Sequence, residues 1–182
     1  MNYIGIDNGS TGTIGVISIE RNGNQVVRFA PTPTRDSLHY GKAGTITQRL
    51  DWGELTRFLD GINLIPSQTQ IAVERPFSGK FVKAVVSAAR FFEATLNYFE
   101  VHAPHIGLQV IDSRDWQQHV LGKVRGSAAL KHASKLRGVQ LYPSFAPQIL
   151  KHKDADGLLI AHYLATRNHI IIPPHEHRQP QA

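Results

Sequence analysis

The sequence predicts an α/β domain: a mixed five-stranded sheet, three strands in an antiparallel meander and two parallel, with helices on both faces. Three observations carry that expectation. Apolar runs of strand length near the N-terminus are separated by short turns rich in Gly and Asn, which is hairpin chemistry. Downstream, strand-like runs alternate with segments of helical periodicity, as when helices connect parallel strands. The length of 182 residues suits one domain, which would bury roughly two-thirds of its unfolded surface.

"YIGIDNGSTGTIGVISI" supplies two strands, 3–7 and 13–19, around Gly9-Ser10-Thr11-Gly12. Asn22-Gly23 marks a second turn, and Gln25 to Ala30 completes the meander. Residues 31–49, with Pro31, Pro33, Gly41 and Gly44, show no periodicity and are expected to form a mobile loop. Asp51 is placed to cap a helix reaching Gly61, with Trp52, Leu55, Phe58, Leu59 and Ile62 at helical spacing. "QIAVE", 70–74, reads as a strand. A long helix is predicted from Val82 to Glu100, its apolar face being Val82, Val85, Val86, Ala89, Phe92, Leu96 and Phe99. Phe91 and Tyr98 fall off that face and are candidates for packing against a second copy or within the core. Gly107 to Ile111 makes the fifth strand. Asp112 or Ser113 caps a helix to Leu121, and Ser127 caps another to Leu136. A last helix runs from Asp156 to Thr166. Residues 1–168 form the predicted domain, and the Pro-rich residues 169–182 a C-terminal extension expected to be disordered in part.

Apolar content of 41% and charged content of 19% exclude a disordered chain. No apolar run approaches the ~18 residues that span a bilayer, and no basic-then-apolar leader is visible. No membrane partner is expected. The chain has no cysteine, which rules out disulfides and thiolate zinc sites. A soluble intracellular protein is the expectation. The net charge of +6 suits a polyanionic partner such as nucleic acid, or simply solubility.

Two acids, Asp7 and Glu74, end predicted strands, and a carboxylate at such a place is costly to bury without compensation. A crossover connection would make those strands neighbours. "KHKDADGLLIAHYLA", 151–165, adds Asp154 and Asp156 at the mouth of an apolar helix, where acids also serve as plain helix caps. Taken together, hard oxygen donors on two strand ends and a helix start suit Mg²⁺ or Mn²⁺. Two such ions about 4 Å apart support phosphodiester hydrolysis, with the sheet-central Asp7 as the natural bridge. Gly9 and Gly12 allow close approach of backbone and substrate.

"IGIDNGSTG", "AVERP" and "KDADGLLIA" resemble, in order and spacing, the three acidic motifs of RuvC-type Holliday-junction resolvases. These belong to the ribonuclease H-like superfamily, and the likeness is closest to the phage-type members. "GKVRGSAALKHASKLRGVQLYP" resembles the same proteins' basic loop, helix and "L[FY]P". The resemblance spans about residues 1 to 168 and implies a ribonuclease H-like fold. It implies a crossover junction endonuclease, dependent on Mg²⁺ (Mn²⁺ also serving), that resolves four-way or other branched DNA during recombination and repair. Cleavage would leave a 5′-phosphate and a 3′-hydroxyl. A homodimer cutting two strands is implied too, in the cytoplasm of a bacterial or phage-infected cell. Asp7, Glu74 and Asp156 match the family's acids. Its fourth ligand usually lies three or four residues before the last acid, where this chain has Lys153 and His152. Asp154 at minus two is the favoured ligand and His152 the alternative. Asn8 stands where the family commonly has proline.

Lys123, Arg125, Lys131, Lys135 and Arg137 crowd into fifteen residues. Lys131 and Lys135 share a helix face. With Lys153, and with Lys80 and Lys83 as a second rim, they are candidate phosphate contacts, or else an ordinary solvated face. Phe77 is a candidate junction wedge or a packing residue. His175 and His177 beside Glu176 lie in the terminal extension and are not read as a metal site. "GSTGTIG" lacks the Lys-Ser/Thr of a P-loop. Other readings remain open. One is a ribonuclease H-like nuclease acting on RNA/DNA hybrids or in transposition. Another is a catalytically silent DNA-binding module. A third is an actin- or sugar-kinase-like ATP-binding domain, disfavoured because one domain cannot build the two-lobed ATP cleft.

Overall fold

The computed structural model describes residues 1–39, 41–76 and 82–167. Lys80, Phe77 and the terminal histidine pair lie outside the described residues, as does the predicted extension.

The alternation that defines the strands also divides the core. β1 (Asn2–Ile6), β2 (Thr13–Ile19), β3 (Gln25–Pro31), β6 (Thr69–Glu74) and β7 (Leu108–Ile111) form one sheet in the order β3-β2-β1-β6-β7. β1 is antiparallel to β2 and parallel to β6, which pairs in parallel with β7. Ile4, Ile6, Ile14, Val16, Ile71 and Val73 point to one face; Tyr3, Ile17 and Ala72 point to the other. That period-two split follows from the strand pleat. The first face is covered by α1 (Trp52–Leu59) and α2 (Val82–His102), the second by α3 (Ser113–Leu121), α4 (Ser127–Leu141), α5 (Ala146–Lys151) and α6 (Asp156–Arg167).

α6 lies against the centre of the sheet, and glycines make this approach possible. A Cβ on Gly5 would sit 2.3 Å from Ala161 N, one on Gly15 2.3 Å from Leu158 Cα, and one on Gly157 2.2 Å from Thr13 O. Backbone therefore meets backbone, and any side chain there would force the layers apart. Leu158, Leu159, Ile160 and Ala161 are fully buried, so α6 is apolar nearly all round, as a central helix should be.

Several expectations need correction. Residues 31–49 are not a structureless loop: β4 (Thr34–Leu38) pairs with β5 (Ile46–Leu50) as a separate ribbon. Its strands carry Thr, Arg, Asp, Ser and Gln and are mostly exposed, so no apolar alternation betrays them. A groove of about 770 Å³ separates this ribbon from α2. α2 buries Phe91, Thr95, Tyr98 and Phe99, whereas Val82 is 73% exposed. The buried stripe is thus rotated from the one predicted, and Phe91 and Tyr98 belong to the core of their own chain. Asp51 caps α1 as expected, accepting from Glu54 N at 3.1 Å. Asp112 occupies the cap position of α3 without a capping bond, and Gly126, not Ser127, precedes α4. α4 continues past Leu136 to Leu141, through Gly138, where a Cβ would stand 2.6 Å from that of Ala155. α5 lies between Pro143 and Asp154, where the sequence predicts no helix.

The rotated α2 stripe has a measurable consequence. Phe91→Ala should destabilise the fold by about 3–5 kcal/mol, while Val82→Ser should stay within about 0.5 kcal/mol. Urea denaturation of both variants checks this; similar losses would contradict the observed stripe.

Candidate active site

Asp7 follows the last residue of the central strand, and its backbone is held on two sides. Its N–H donates to Thr13 O at 3.0 Å, and its carbonyl accepts from Thr32 Oγ1 at 3.2 Å. Asn8 links this strand end to its neighbours: Nδ2 donates to Glu74 O at 2.6 Å, and Oδ1 accepts from Thr95 Oγ1 at 3.3 Å. The parallel register of β1 and β6 therefore brings Asp7 and Glu74 to the same sheet edge. α6 starts at this edge too, because Gly157 N donates to Thr13 Oγ1 at 2.9 Å. Asp156 and the buried Asp154 arrive with it.

Carboxylate oxygens of Asp7, Asp154 and Asp156 lie within 4.8 Å of one another. Glu74 stands outside that spacing, with Oε2 accepting from Trp116 Nε1 at 2.9 Å. Asp156 accepts from Ser134 Oγ, which itself accepts from Ala155 N at 3.0 Å. His152 is not brought into the trio; its ring packs edge-on against Phe29 at 5.4 Å.

Four acids gathered this closely suppress one another's ionisation. Burial raises the Asp7 carboxyl well above its ordinary range, and Glu74, Asp156 and Asp154 push it further. Burial also raises Asp156 to about 8, with Asp154 adding to the shift, and Glu74 to about 7 against the opposing pull of Trp116. Asp154 is raised by burial as well. Lys131 draws Asp7, Asp154 and Asp156 back down, and Lys153 and His152 draw down Asp154. These cations do not offset the rest. A cluster of carboxylate oxygens short of positive charge fits a hard divalent cation.

The basic candidates are scattered more widely. Lys123 and Arg125 are exposed between α3 and α4, Lys83 is exposed near the start of α2, and Lys153 is exposed beside Asp154. Lys131 is exposed on α4, on the side whose charge reaches the acids. Lys135 is half-buried and donates to Leu150 O at 3.1 Å. Sequence reasoning missed Trp116, Ser134, Thr13, Thr32 and Thr95. Trp116, Ser134 and Thr95 fall on predicted helices, Thr13 on a predicted strand and Thr32 in the predicted loop. Only the fold brings Trp116 and Ser134 to acids, Thr13 and Thr32 to the backbone of Asp7, and Thr95 to Asn8.

The raised acids fix the sign of a pH effect. Unfolded carboxyls titrate near 3.8 and 4.5, the folded Glu74 and Asp156 near 7 and 8. Between those limits the folded chain holds more protons, so its stability falls as pH rises. His162 runs the other way: burial lowers its imidazole to about 4, so its stabilising contribution is lost as pH falls from about 6.5. Of these groups, the acids set the slope between pH 6.5 and 8.5. In chelator, the melting temperature should drop between pH 6.5 and 8.5, and Mg²⁺, bound by the folded ionised form, should reverse the drop. A flat profile in chelator would contradict the coupling.

The mixed sheet with its central antiparallel-to-parallel switch, flanked by helices on both faces, is a ribonuclease H-like fold. More particularly, it is RuvC-like. The chain superposes on the structure of T. thermophilus RuvC in complex with Holliday junction substrate, with a TM-score of 0.51 and 14% identity over 93% of this chain and 97% of that one. A second Thermus thermophilus RuvC structure gives 0.46 and 17% over 93% and 98%. No protein-family model matches the chain, and no curated protein does. Among the described residues, no helix is long and apolar enough to cross a membrane.

Proposed function

We propose that the chain is a divalent-metal-dependent endonuclease that cuts four-way or other branched DNA, acting as a homodimer. The observation that carries this reading is the meeting of Asp7, Asp154 and Asp156 beside Glu74, from three distant segments, on a RuvC-like fold. Asp7, Glu74, Asp154 and Asp156 would hold the cation, Mg²⁺ or Mn²⁺. When bound, it supplies Lewis acidity for the phosphodiester and acidifies water. The protein's own part is placement. Asp7 is fixed through its backbone, so its carboxylate is presented without a search of chain conformations. Unneutralised, the four acids would repel a phosphate, so cation loading would be a condition of seating the scissile phosphate among them, while the basic residues hold the rest of the DNA. Water adds across the P–O3′ bond, leaving a 5′-phosphate and a 3′-hydroxyl.

Lys131 would meet the DNA backbone nearest the cut, with Lys123, Arg125 and Lys153 along the same side. Lys80 and Lys83 are assigned to a second rim. Lys131→Ala should weaken junction binding and lower the slope of log affinity against log salt by about 0.9, one phosphate contact. Lys135→Ala should change it less, because its ammonium already serves Leu150. Equal slopes for wild type and Lys131→Ala would remove that residue from the interface.

Incubation of the protein with a synthetic four-way junction, a duplex and an RNA/DNA hybrid, with and without Mg²⁺, tests the function. Paired nicks in the junction, only with Mg²⁺, are expected. Preferential cutting of the hybrid would move the activity to another ribonuclease H-like chemistry, and cutting in chelator would end the metal reading.

A further inference from the structure

We propose that Trp116 is a positioning residue that orients the Glu74 carboxylate for cation binding, a role resting on the metal reading above. Glu74 has the longest side chain of the four acids and stands outside the tight trio, so it has the most freedom to lose. An indole N–H is donor only, and Trp116 spends it on Glu74 Oε2 at 2.9 Å from a fully buried ring. The bond takes a single oxygen of the carboxylate and restricts its rotation, leaving the other oxygen for a cation.

Both ends of this bond are set by the same strand register. Glu74 pairs with Ile111, Arg75 N donates to Ile111 O at 2.8 Å, and α3 begins two residues after Ile111. An ion pair between Arg75 and Asp112, 3.2 Å, closes the corner. Trp116 is thus carried on a short rigid element anchored beside the residue it holds. Ser134 does the same for Asp156 from α4. The helices behind the sheet edge consequently aim two of the four carboxylates, and partners of this kind are worth about 10–100-fold in metal affinity.

A buried tryptophan also packs, so the test separates packing from aim. Trp116→Phe keeps an aromatic ring and removes the donor. Calorimetric titration with Mn²⁺ should show affinity about 10–100-fold below wild type, and excess Mg²⁺ should restore junction cleavage. A folded variant with wild-type Mn²⁺ affinity would overturn the assignment while leaving the metal site intact. Wild-type protein that binds no Mn²⁺ would overturn the metal reading and this inference together. Should Trp116→Phe fail to fold, Trp52→Phe decides, because the chain has two tryptophans and Trp116 is then the sole indole, excited selectively beyond the tyrosine absorption band. Its fluorescence should change along the Mn²⁺ binding curve, and emission unmoved by saturating Mn²⁺ would refute the role.

Discussion

Asp7→Asn should abolish junction cleavage, preserve junction binding and raise the stability of the metal-free protein. The three effects have one origin. Asp7 is the acid on which the other three converge, and each of them pushes its carboxyl toward the neutral form. An amide keeps the size of the side chain and removes one charge from the cluster. At pH 8 in chelator the variant should therefore melt above wild type, because the folded chain no longer has to hold that carboxyl against its burial and its neighbours. The same change removes one of the four proposed cation ligands, so the Mg²⁺-dependent rise in melting temperature should shrink. Gel-shift, cleavage and thermal melts on one preparation check all three. Retained cleavage, or lower stability in chelator, would contradict the assignment.

Gly157→Ala should cost more than about 3 kcal/mol or prevent soluble expression. The new Cβ would stand 2.2 Å from Thr13 O and 2.8 Å from Ile14 Cα, and neither atom belongs to a side chain that can swing aside. Relief requires α6 to lift from β2, which would break the Gly157 N to Thr13 Oγ1 bond and move Asp156 with it. Gly107→Ala is the control: nothing lies within 4 Å of its added Cβ, so its cost should be near zero. Equal stability of the two variants by denaturant titration would show that α6 does not pack as closely as described.

The strands and helices of the main sheet were legible because each buries a face, and burial writes a period into the sequence. Ile4 and Ile6 against Tyr3, or Ile71 and Val73 against Ala72, alternate because opposite faces meet different helices. The β4–β5 ribbon escaped notice for the converse reason, having little to bury. α2 was legible as a helix but not in its facing, since Val82, Val85 and Val86 look as apolar as Phe91 and Tyr98 until the sheet selects among them. The acids were found by residue type and strand-end position. Their support was not: nothing in "SRDWQQHVL" distinguishes an indole that packs from one that also donates to a carboxylate 42 positions away.

The order in which the site's parts occur along the chain carries one more consequence. Asp7 and Glu74 can come together through β1 and β6 as soon as those strands exist, yet the other two acids sit at and just before the start of α6, whose docking also fills the middle of the second core. A polypeptide halted before residue 154 during translation therefore holds two of the four acids and a sheet whose second face lacks its central helix. If the proposed function holds, cutting power and a finished fold would arrive in the same event, and a chain still lacking α6 would not cut.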